Sequence, residues 1–240
     1  MPETQRRSHA IRVRRMFQRI ASHYDGMNRL MTFGHDLALR RYAIRQAALP
    51  EGGRLLDVGT GTGDMALLAL EQEDSLHVTG VDFTPAMMYI ARGRPNGHRV
   101  AWCEADALML PFAEATFDAV TSAYLLRNVA DVSAALREQV RVVRPGGRVV
   151  CLETSPPPRT IWRPLVMFYL HVLIPLLGQL IVGDRAAYTY LPTSTQNFKT
   201  PDDLADAMRQ AGLVDVRYRR FMLGVMVVHI GTRPKRAEQR

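Results

Sequence analysis

The residues best equipped for chemistry lie in one stretch, Leu55-Leu56-Asp57-Val58-Gly59-Thr60-Gly61-Thr62-Gly63-Asp64. A short apolar run rich in branched residues leads to three glycines at alternate positions. An acid then opens a helix-like run, Met65 to Leu70, so the stretch reads as strand, tight turn and helix. Glycine is needed there because a side chain would keep the backbone away from a ligand, and because such turns call for positive φ. Backbone N–H groups at the start of the helix would face that ligand.

Two cofactor classes compete for such a loop. A dinucleotide loop carries G-x-G-x-x-G, its third glycine placed where the crossover helix packs on the sheet. Here Gly59, Gly61 and Gly63 run G-x-G-x-G, and Asp64 follows. A carboxylate is a poor neighbour for a pyrophosphate but suits a cofactor with positive charge, and S-adenosylmethionine carries a sulfonium and an α-ammonium group. Downstream, the apolar run Leu76 to Val81 ends in Asp82 and Phe83. An acid at a second strand's tip can accept from two ribose hydroxyls, a device that NAD sites share. The fingerprint mismatch therefore favours S-adenosylmethionine. After a third strand, Asp106 with Ala107 and Leu108 is placed to meet an adenine, its other reading being an ordinary turn aspartate.

The elements that must position these residues follow an α/β rhythm. With 240 residues, 47% of them apolar, the chain has room for one α/β domain with a sizeable core and not for two comfortable ones. The pattern predicts strands over 54–58, 76–81, 99–103, 117–122 and 148–152, with helices from about 36 to 48, from 64 to 71, after the Thr84-Pro85 cap and from Asp131 to Val140. Arg144-Pro145-Gly146-Gly147 turns the chain into the fifth strand, which ends at Glu153-Thr154-Ser155. Polar tips on strands one, two, four and five fit a ligand at the carboxyl edge of a parallel sheet. Thr200-Pro201-Asp202-Asp203 opens a last helix closed by Gly212, and 213–221 and 222–230 read as an antiparallel strand pair. The organisation expected is an N-terminal helical lid over 1–50, a cofactor-binding core over 51–155, an apolar helical insertion over 156–200, a closing segment over 201–232 and a disordered tail over 233–240.

The flanking segments bear on partners. The net charge of +8 is compatible with nucleic acid, an anionic membrane surface or acidic ligands. Arg6, Arg7, Arg12, Arg14, Arg15 and Arg19 alternate with Val13, Met16, Phe17 and Ile20 at helical spacing. This basic amphipathic helix either packs its apolar stripe on the domain or lays its arginines against anionic lipid headgroups. Residues 23–35 are polar, aromatic and glycine-punctuated, suited to a lid over the cofactor mouth. From Leu165 to Gly183 there is no Lys, Arg, Asp or Glu, a length that could span a membrane. Pro175, Gly178, His171 and Gln179 interrupt it, however, and the sheet needs strands beyond it. A helix or broken helix pair covering an apolar pocket and dipping into the lipid interface is the expected form. Cys103 and Cys151 lack metal-ligand spacing and are expected to be buried, reduced thiols, and no metal site is expected. No secretory signal is expected, and the chain is placed in the cytoplasm, peripheral to the inner face of the membrane.

The ordered motifs MFQRIASHYDGMNRLMTFG, LLDVGTGTGD, GVDFTPAMM, DALMLPF, LLRNVAD, RVVRPGGRVVCLETS, GDRAAYTYLPTS and VVHIG give the chain, over residues 12–231, a resemblance to the ubiquinone/menaquinone biosynthesis C-methyltransferases. These are class I S-adenosylmethionine-dependent enzymes. The YDxMN and LRNV segments and the E-x-S after RPGG are the selective parts.

The resemblance implies a Rossmann-like α/β fold with a seven-stranded, mostly parallel sheet, one antiparallel strand and helices on both faces. It also implies cofactor contacts at Thr62, Asp82, Asp106 and Ala107. The loop residues Asp57, Gly59, Gly61, Gly63 and Asp64, with Phe83 and Ser122, complete the expected cofactor set. Members often have a serine just before the aromatic of the fourth-strand exit, where this chain has Ala123, with Ser122 one place earlier. Asp36, Leu39 and Leu125 stand where a histidine, a tryptophan and a glycine are usual.

The implied reaction is methyl transfer to a ring carbon of a polyprenylated hydroquinol, a naphthoquinol more than a benzoquinol. Arg127 is expected to stabilise the phenolate and Asn128 to orient the acceptor. Tyr24, Asp25 and Asn28 belong to the lid, with Asp25 as the carboxylate for proton removal. His171 and Tyr190 are expected to line the quinol pocket and His229 to be a core histidine. A different lipophilic phenol or sterol, or a non-catalytic cofactor-binding scaffold at membranes, are the other classes. Nucleic acid is disfavoured because the strand-four exit reads LLRN and not an N-P-P-Y-like tetrad.

Overall fold

The computed structural model describes residues 3–235. Residues 1–2 and 236–240, and the side chains of Glu3 and Arg6, lie outside the described residues. Three helices come first: α1 (Glu3–Ile20), α2 (Tyr24–Met31) and α3 (Asp36–Ala47). The core then alternates β1 (Arg54–Val58), α4 (Asp64–Gln72), β2 (His77–Asp82), α5 (Pro85–Arg92), β3 (Ala101–Glu104), β4 (Phe117–Ala123), α6 (Val132–Val142) and β5 (Val143–Thr154). Next come α7 (Arg163–Phe168), α8 (Ile174–Ile181) and α9 (Arg185–Gln196), and the chain closes with α10 (Pro201–Gln210), β6 (Val214–Phe221) and β7 (Met226–Thr232).

The sheet order is β3-β2-β1-β4-β5-β7-β6, with β7 antiparallel to both of its neighbours and every other pairing parallel. Leu55 and Leu56 enter different cores on opposite faces. With helices on both faces, the central strands are buried along nearly their whole length, and apolar residues of β1 and β4 point to both faces. Leu39, Ala43 and Ile44 of α3 and Met65 of α4 fill one face, whereas Leu136 of α6 and Leu204 and Met208 of α10 fill the other. The expected caps hold at two helices. Asp131 accepts from the Ala134 N–H at 3.0 Å, and Thr200 and Asp203 form a reciprocal capping box.

Several expectations are corrected. Gly97–Arg99 is a 3₁₀ turn, so β3 begins at Ala101 and not at Arg99. Met222–Gly224 forms another such turn, delaying β7 to Met226. The apolar segment is not broken at Pro175. A single π turn, Tyr169–Leu173, joins α7 to α8, and the proline sits in the first turn of α8, where its missing N–H costs little. Gly178 is there for contact, since a Cβ on it would lie 2.3 Å from the Tyr188 ring of α9. Arg233, assigned to the tail, is tied down: its Nη1 donates to the carbonyls of Val140, Arg141 and Val143. The rest of the expected disordered tail, 236–240, lies outside the described residues. Cys151 is buried but Cys103 is only half-buried.

α1 packs by its apolar stripe. Val13, Met16, Phe17 and Ile20 are buried with Met87 and Tyr188 in a third core. Two of its arginines are engaged, Arg14 with Glu104 at 2.8 Å and Arg19 with Asp184 at 2.9 Å.

His229 is the core histidine expected, hydrogen-bonded through Nε2 to the Pro201 carbonyl at 2.9 Å, and burial lowers it to about 4. The unfolded chain therefore takes up a proton near pH 6.5 that the folded chain refuses until about pH 4, so stability falls as pH drops through that window. Asp57, which burial raises to about 6, opposes this trend, because its folded form binds the proton first. The wild-type slope understates His229 for that reason. In denaturant unfolding at pH 7.5 and pH 5, His229→Gln should lose roughly 2 kcal/mol less stability than wild type between the two. Equal losses would refute the assignment of a buried neutral imidazole.

Candidate active site

At the carboxyl edge of the sheet the chain leaves β1 through Gly59, Gly61 and Gly63, with φ of +69°, +57° and +84°. The loop is tight: a Cβ at Gly59 would stand 2.7 Å from Leu125 Cδ1, and one at Gly63 would stand 2.8 Å from the Trp102 ring. Asp57 braces it from beneath, Oδ2 accepting from the Thr60 hydroxyl at 2.7 Å and Oδ1 from Thr121 at 2.9 Å. Asp82, at the tip of β2, accepts from the Gly61 N–H at 2.9 Å and the Thr84 N–H at 2.8 Å. Burial raises its carboxyl above the ordinary range while these N–H groups work against the rise.

A cavity of about 430 Å³ opens beside the loop. Gly59, Gly61, Asp82, Phe83, Asp106, Ala107 and Leu108 line it, with Tyr24, Asn128 and, from α1, Arg7, Ala10, Val13 and Phe17. α1 thus forms part of this cavity's wall, at the place where the N-terminal lid was expected. The residues fit S-adenosylmethionine. The glycines bring bare backbone to the cavity wall. A carboxylate has about four acceptor positions, and the two N–H bonds leave Asp82 the capacity to take ribose hydroxyls. Asp106 Oδ1 accepts from the Leu108 N–H at 2.9 Å in a local turn, and the residue also lines the cavity beside Ala107 and Leu108.

Other expected cofactor residues stand elsewhere. Asp64 is withdrawn from the cavity and shared by three arginines, Arg94 at 2.7 Å, Arg29 at 3.2 Å and Arg40 at 3.6 Å. Burial pushes its carboxyl up, but Arg40, Arg94 and Arg29 together outweigh that and hold it below its ordinary range. A carboxylate neutralised in this way has little left to offer a sulfonium. Thr62 and Gly63 do not line the cavity either, and the Thr62 hydroxyl donates to Asp25 Oδ1 at 2.5 Å. Asp57 is occupied beneath the loop. Ser122 is fully buried and points away by strand alternation, leaving Ala123 at the wall. Asp25, the carboxylate expected to take the proton, is held by Thr62, lies 3.4 Å from Arg94 and lines neither this cavity nor the next one.

A second cavity, of about 540 Å³, lies beneath α7, α8 and α9. Met31, Phe33, Leu165, Phe168, Leu170 and Ile174 give it an apolar wall, and Asn28, Thr32, His35, Arg127, Thr154 and Thr195 are its polar groups. Arg127 is only 6% exposed and binds the buried Glu153 through Nη1 at 2.9 Å. Its Nε has no hydrogen-bond partner among the described residues. Burial raises the Glu153 carboxyl, with Arg127 acting against the rise. The Thr154 and Thr195 hydroxyls meet at 2.8 Å. His171 is exposed and lies outside this cavity, because the π turn carries it to the outer face of the helix. Tyr190 also lies outside it and instead donates to Asn128 Oδ1 at 3.2 Å, while Asn128 Nδ2 donates to the Tyr124 carbonyl at 2.8 Å. Tyr124 alone among the described residues lines both cavities. Among the described residues no cluster of three or more His, Cys, Asp or Glu could hold a metal ion.

A doubly wound sheet with one antiparallel strand, a glycine loop at its carboxyl edge and acids at the tips of β2 and β3 together define a class I S-adenosylmethionine-dependent methyltransferase. Solved structures share the fold. A protein described as a SAM-dependent methyltransferase, possible histamine N-methyltransferase, from Thermotoga maritima aligns over 92% of this chain and 99% of its own, with TM-score 0.66 and 20% identity. A Haemonchus contortus phosphoethanolamine N-methyltransferase 2 in complex with S-adenosyl-L-methionine aligns over 81% of this chain and 52% of its own, with TM-score 0.58 and 17% identity. The chain belongs to the ubiE/COQ5 methyltransferase family, whose model matches residues 4–233. Among its relatives, the ubiquinone/menaquinone biosynthesis C-methyltransferase UbiE of Desulfotalea psychrophila is 48% identical over 92% of this chain and 90% of its own. A demethylmenaquinone methyltransferase of Thermus thermophilus is 45% identical over 91% of this chain and 100% of its own.

Proposed function

We propose that this chain methylates a ring carbon of a polyprenylated hydroquinol with S-adenosylmethionine, and that the acceptor is demethylmenaquinol. The observation that carries the reading is the buried Arg127. It lines a largely apolar cavity that adjoins the cofactor cavity across Tyr124, and its Nε has no hydrogen-bond partner among the described residues. An aromatic ring with hydroxyls and an isoprenoid tail suits such a cavity. Family membership and the names of both relatives support the acceptor class, and the Thermus relative, matched over its full length, favours the menaquinone branch. The Desulfotalea relative is named for both branches, which keeps the benzoquinol as a second acceptor to test.

When bound, S-adenosylmethionine supplies an electrophilic methyl group on its sulfonium. The protein must make the acceptor carbon nucleophilic and aim it. When the hydroxyl beside that carbon loses its proton to solvent, Arg127 does the first by donating to the resulting phenolate oxygen. The methyl leaves the sulfonium for the carbon, and the carbon's own proton is then released to solvent as the ring regains aromaticity. The donor is preorganised and buried, so it acts with little screening. Glu153 fixes the guanidinium. Asn128, bridged by Tyr190 and by the Tyr124 carbonyl, stands at the cofactor wall to orient the reactants. Asp82 and Asp106 hold the cofactor's ribose and adenine, and α1 closes over it. Together these contacts convert the transfer into an oriented, effectively unimolecular step.

The segment over the acceptor cavity gives the protein a membrane-facing side. Val172, Leu176 and Leu180 fall on one outward stripe of the 19-residue helical run and are each at least 46% exposed, and Leu165 and Phe168, which also border the acceptor cavity, are more than half exposed. Leu170, Ile174 and Gly178 face inward. Exposed Arg159, Arg163 and Arg185 lie near the two ends of the run. Such a two-sided helix half-sunk in the interface would let a lipid-dissolved acceptor enter from the bilayer, with each near-surface arginine adding about 1 kcal/mol on anionic lipid.

The test uses anionic vesicles loaded with demethylmenaquinol or with the demethylated benzoquinol. Transfer from labelled S-adenosylmethionine is read by mass spectrometry, and co-sedimentation of the protein is followed. Transfer to the naphthoquinol with sedimentation on the vesicles is expected. Cofactor binding with transfer to neither acceptor would sink the quinol reading, and transfer without sedimentation would sink the membrane part alone.

A further inference from the structure

Tyr124 has a backbone that no aromatic residue adopts without cost. Its φ is +58°, where the β-carbon crowds the backbone, and such a position costs on the order of 1–3 kcal/mol unless the surroundings impose it. They do impose it here. The N–H donates to the Leu152 carbonyl at 2.8 Å, continuing the β4–β5 ladder, while the carbonyl accepts from Asn128 Nδ2. Two guanidinium groups lie over the ring, Arg40 at 5.1 Å and Arg127 at 5.2 Å from its centroid. The phenol hydroxyl donates to the fully buried Asp36 at 3.1 Å, and Asp36 also takes the Arg40 Nε at 3.1 Å. The ring is thus fixed at its backbone, by two guanidinium groups over it and at its tip.

The position of the ring explains the expense. A methyl group leaving one cavity and a ring carbon in the other must meet at their boundary, and Tyr124 forms that boundary. Arg127 has one ion-pair partner, Glu153, gripping a single nitrogen. A guanidinium held at one corner can swing, and the Tyr124 ring is the surface that stops it. Arg40 is neutralised by Asp36 and Asp64, so the platform is stiff without pushing Arg127 away.

We infer that Tyr124 is the positioning residue of the transfer site, its clamped ring holding the Arg127 guanidinium at the junction of the two cavities. The inference rests on the quinol reading above. It assigns a role to the ring that neither cofactor affinity nor acceptor affinity expresses. The αL backbone supplies a clean probe, because glycine is at home at φ +58° and Tyr124→Gly removes the ring while relieving the strain.

The experiment measures kcat, quinol KM and S-adenosylmethionine Kd for wild type, Tyr124→Gly, Tyr124→Phe, Arg127→Met and the Tyr124→Gly/Arg127→Met double variant. Misplacing a catalytic group by about 1 Å can cost on the order of 100-fold, so kcat of Tyr124→Gly should fall about 30- to 100-fold, with KM and Kd within about threefold. Tyr124→Phe, which keeps the ring, should restore at least roughly a tenth of wild-type kcat. In the Arg127→Met background, Tyr124→Gly should cost less than about threefold, since coupled residues are not additive.

Equal losses in both backgrounds, a loss appearing only as weaker cofactor or quinol binding, or wild-type kcat in Tyr124→Gly would each overturn the inference while leaving the quinol reading intact. If Tyr124→Gly does not fold, Tyr124→Phe decides, and a kcat below a hundredth of wild type overturns it. A wild type that methylates neither quinol overturns the quinol reading and this inference with it.

Discussion

Arg127→Met is expected to lower kcat for quinol methylation by about 10²- to 10³-fold, the range seen when one preorganised donor to a developing oxyanion is removed. S-Adenosylmethionine Kd should stay within about threefold, because Arg127 lines the acceptor cavity and not the cofactor cavity. The magnitude follows from where the cation sits. Arg127 is buried beside apolar side chains, and its Nε is unspent. A buried donor left open in the absence of substrate is unfavourable unless the substrate oxygen meets it. Its ion pair with Glu153 gives the prediction a confounder, since removing one member of a buried pair typically costs about 3–5 kcal/mol of stability. The Arg127→Met/Glu153→Gln double variant removes both charges together and should regain most of that stability while remaining as slow as Arg127→Met. If the double variant regains kcat along with stability, Arg127 is a structural ion pair and another group carries the phenolate. The rate should also depend on pH more steeply in the variant than in wild type, because ionisation of the hydroquinol would no longer be assisted within the cavity.

The cofactor half of this molecule was legible in the sequence because it is built from local signals. Three glycines at alternate positions specify a turn that brings backbone to a ligand, and acids at the ends of apolar runs mark strand tips. Gly59, Gly61, Asp82, Phe83, Asp106 and Ala107 all line the cavity for those reasons. The failures share a cause. Asp64, Thr62 and Asp25 are chemically suited to a cofactor or a proton. Their use, however, depends on where Arg29, Arg40 and Arg94 arrive from three other helical or loop segments, and no spacing rule encodes that. Ser122 was one residue out of phase, and in a strand one residue reverses the face.

The acceptor half was legible as a composition, an uncharged run that must cover something apolar. Its detail was not, because the π turn shifts the register of every later residue and carried His171 outward. Tyr124 left no trace at all. A positive φ at an aromatic residue is produced by tertiary clamping, and the sequence shows only a tyrosine where many readings are open.

Asp64→Asn should separate the structural from the cofactor role of the residue that first pointed to a positively charged ligand. The carboxylate is 3% exposed and lies among Arg29, Arg40 and Arg94. Among the described residues, two other acids share these cations, Asp36 on Arg40 and Asp25 on Arg94. Replacing the carboxylate with an amide leaves three cations on two acids in a site largely cut off from water, and about 3–5 kcal/mol of stability should go with it. For a chain of this length each kcal/mol shifts the melting temperature by roughly 2–4 °C, so a fall of about 10 °C is expected in a thermal melt. Because the carboxyl is held below its ordinary range, its contribution is present above the unfolded value of 3.8 and is lost as the pH falls through the folded value. The gap between variant and wild type should therefore be full at neutral pH and narrow on strong acidification. S-Adenosylmethionine Kd, measured well below the melting range, should move by less than about threefold, since the residue does not line the cavity. An unchanged melting temperature with a large loss of cofactor affinity would return Asp64 to the sulfonium and overturn the withdrawn placement. The expected result makes the acid a clamp that ties α4 to α2 and α3, so that the glycine loop above it is held in shape by charges the cofactor never touches.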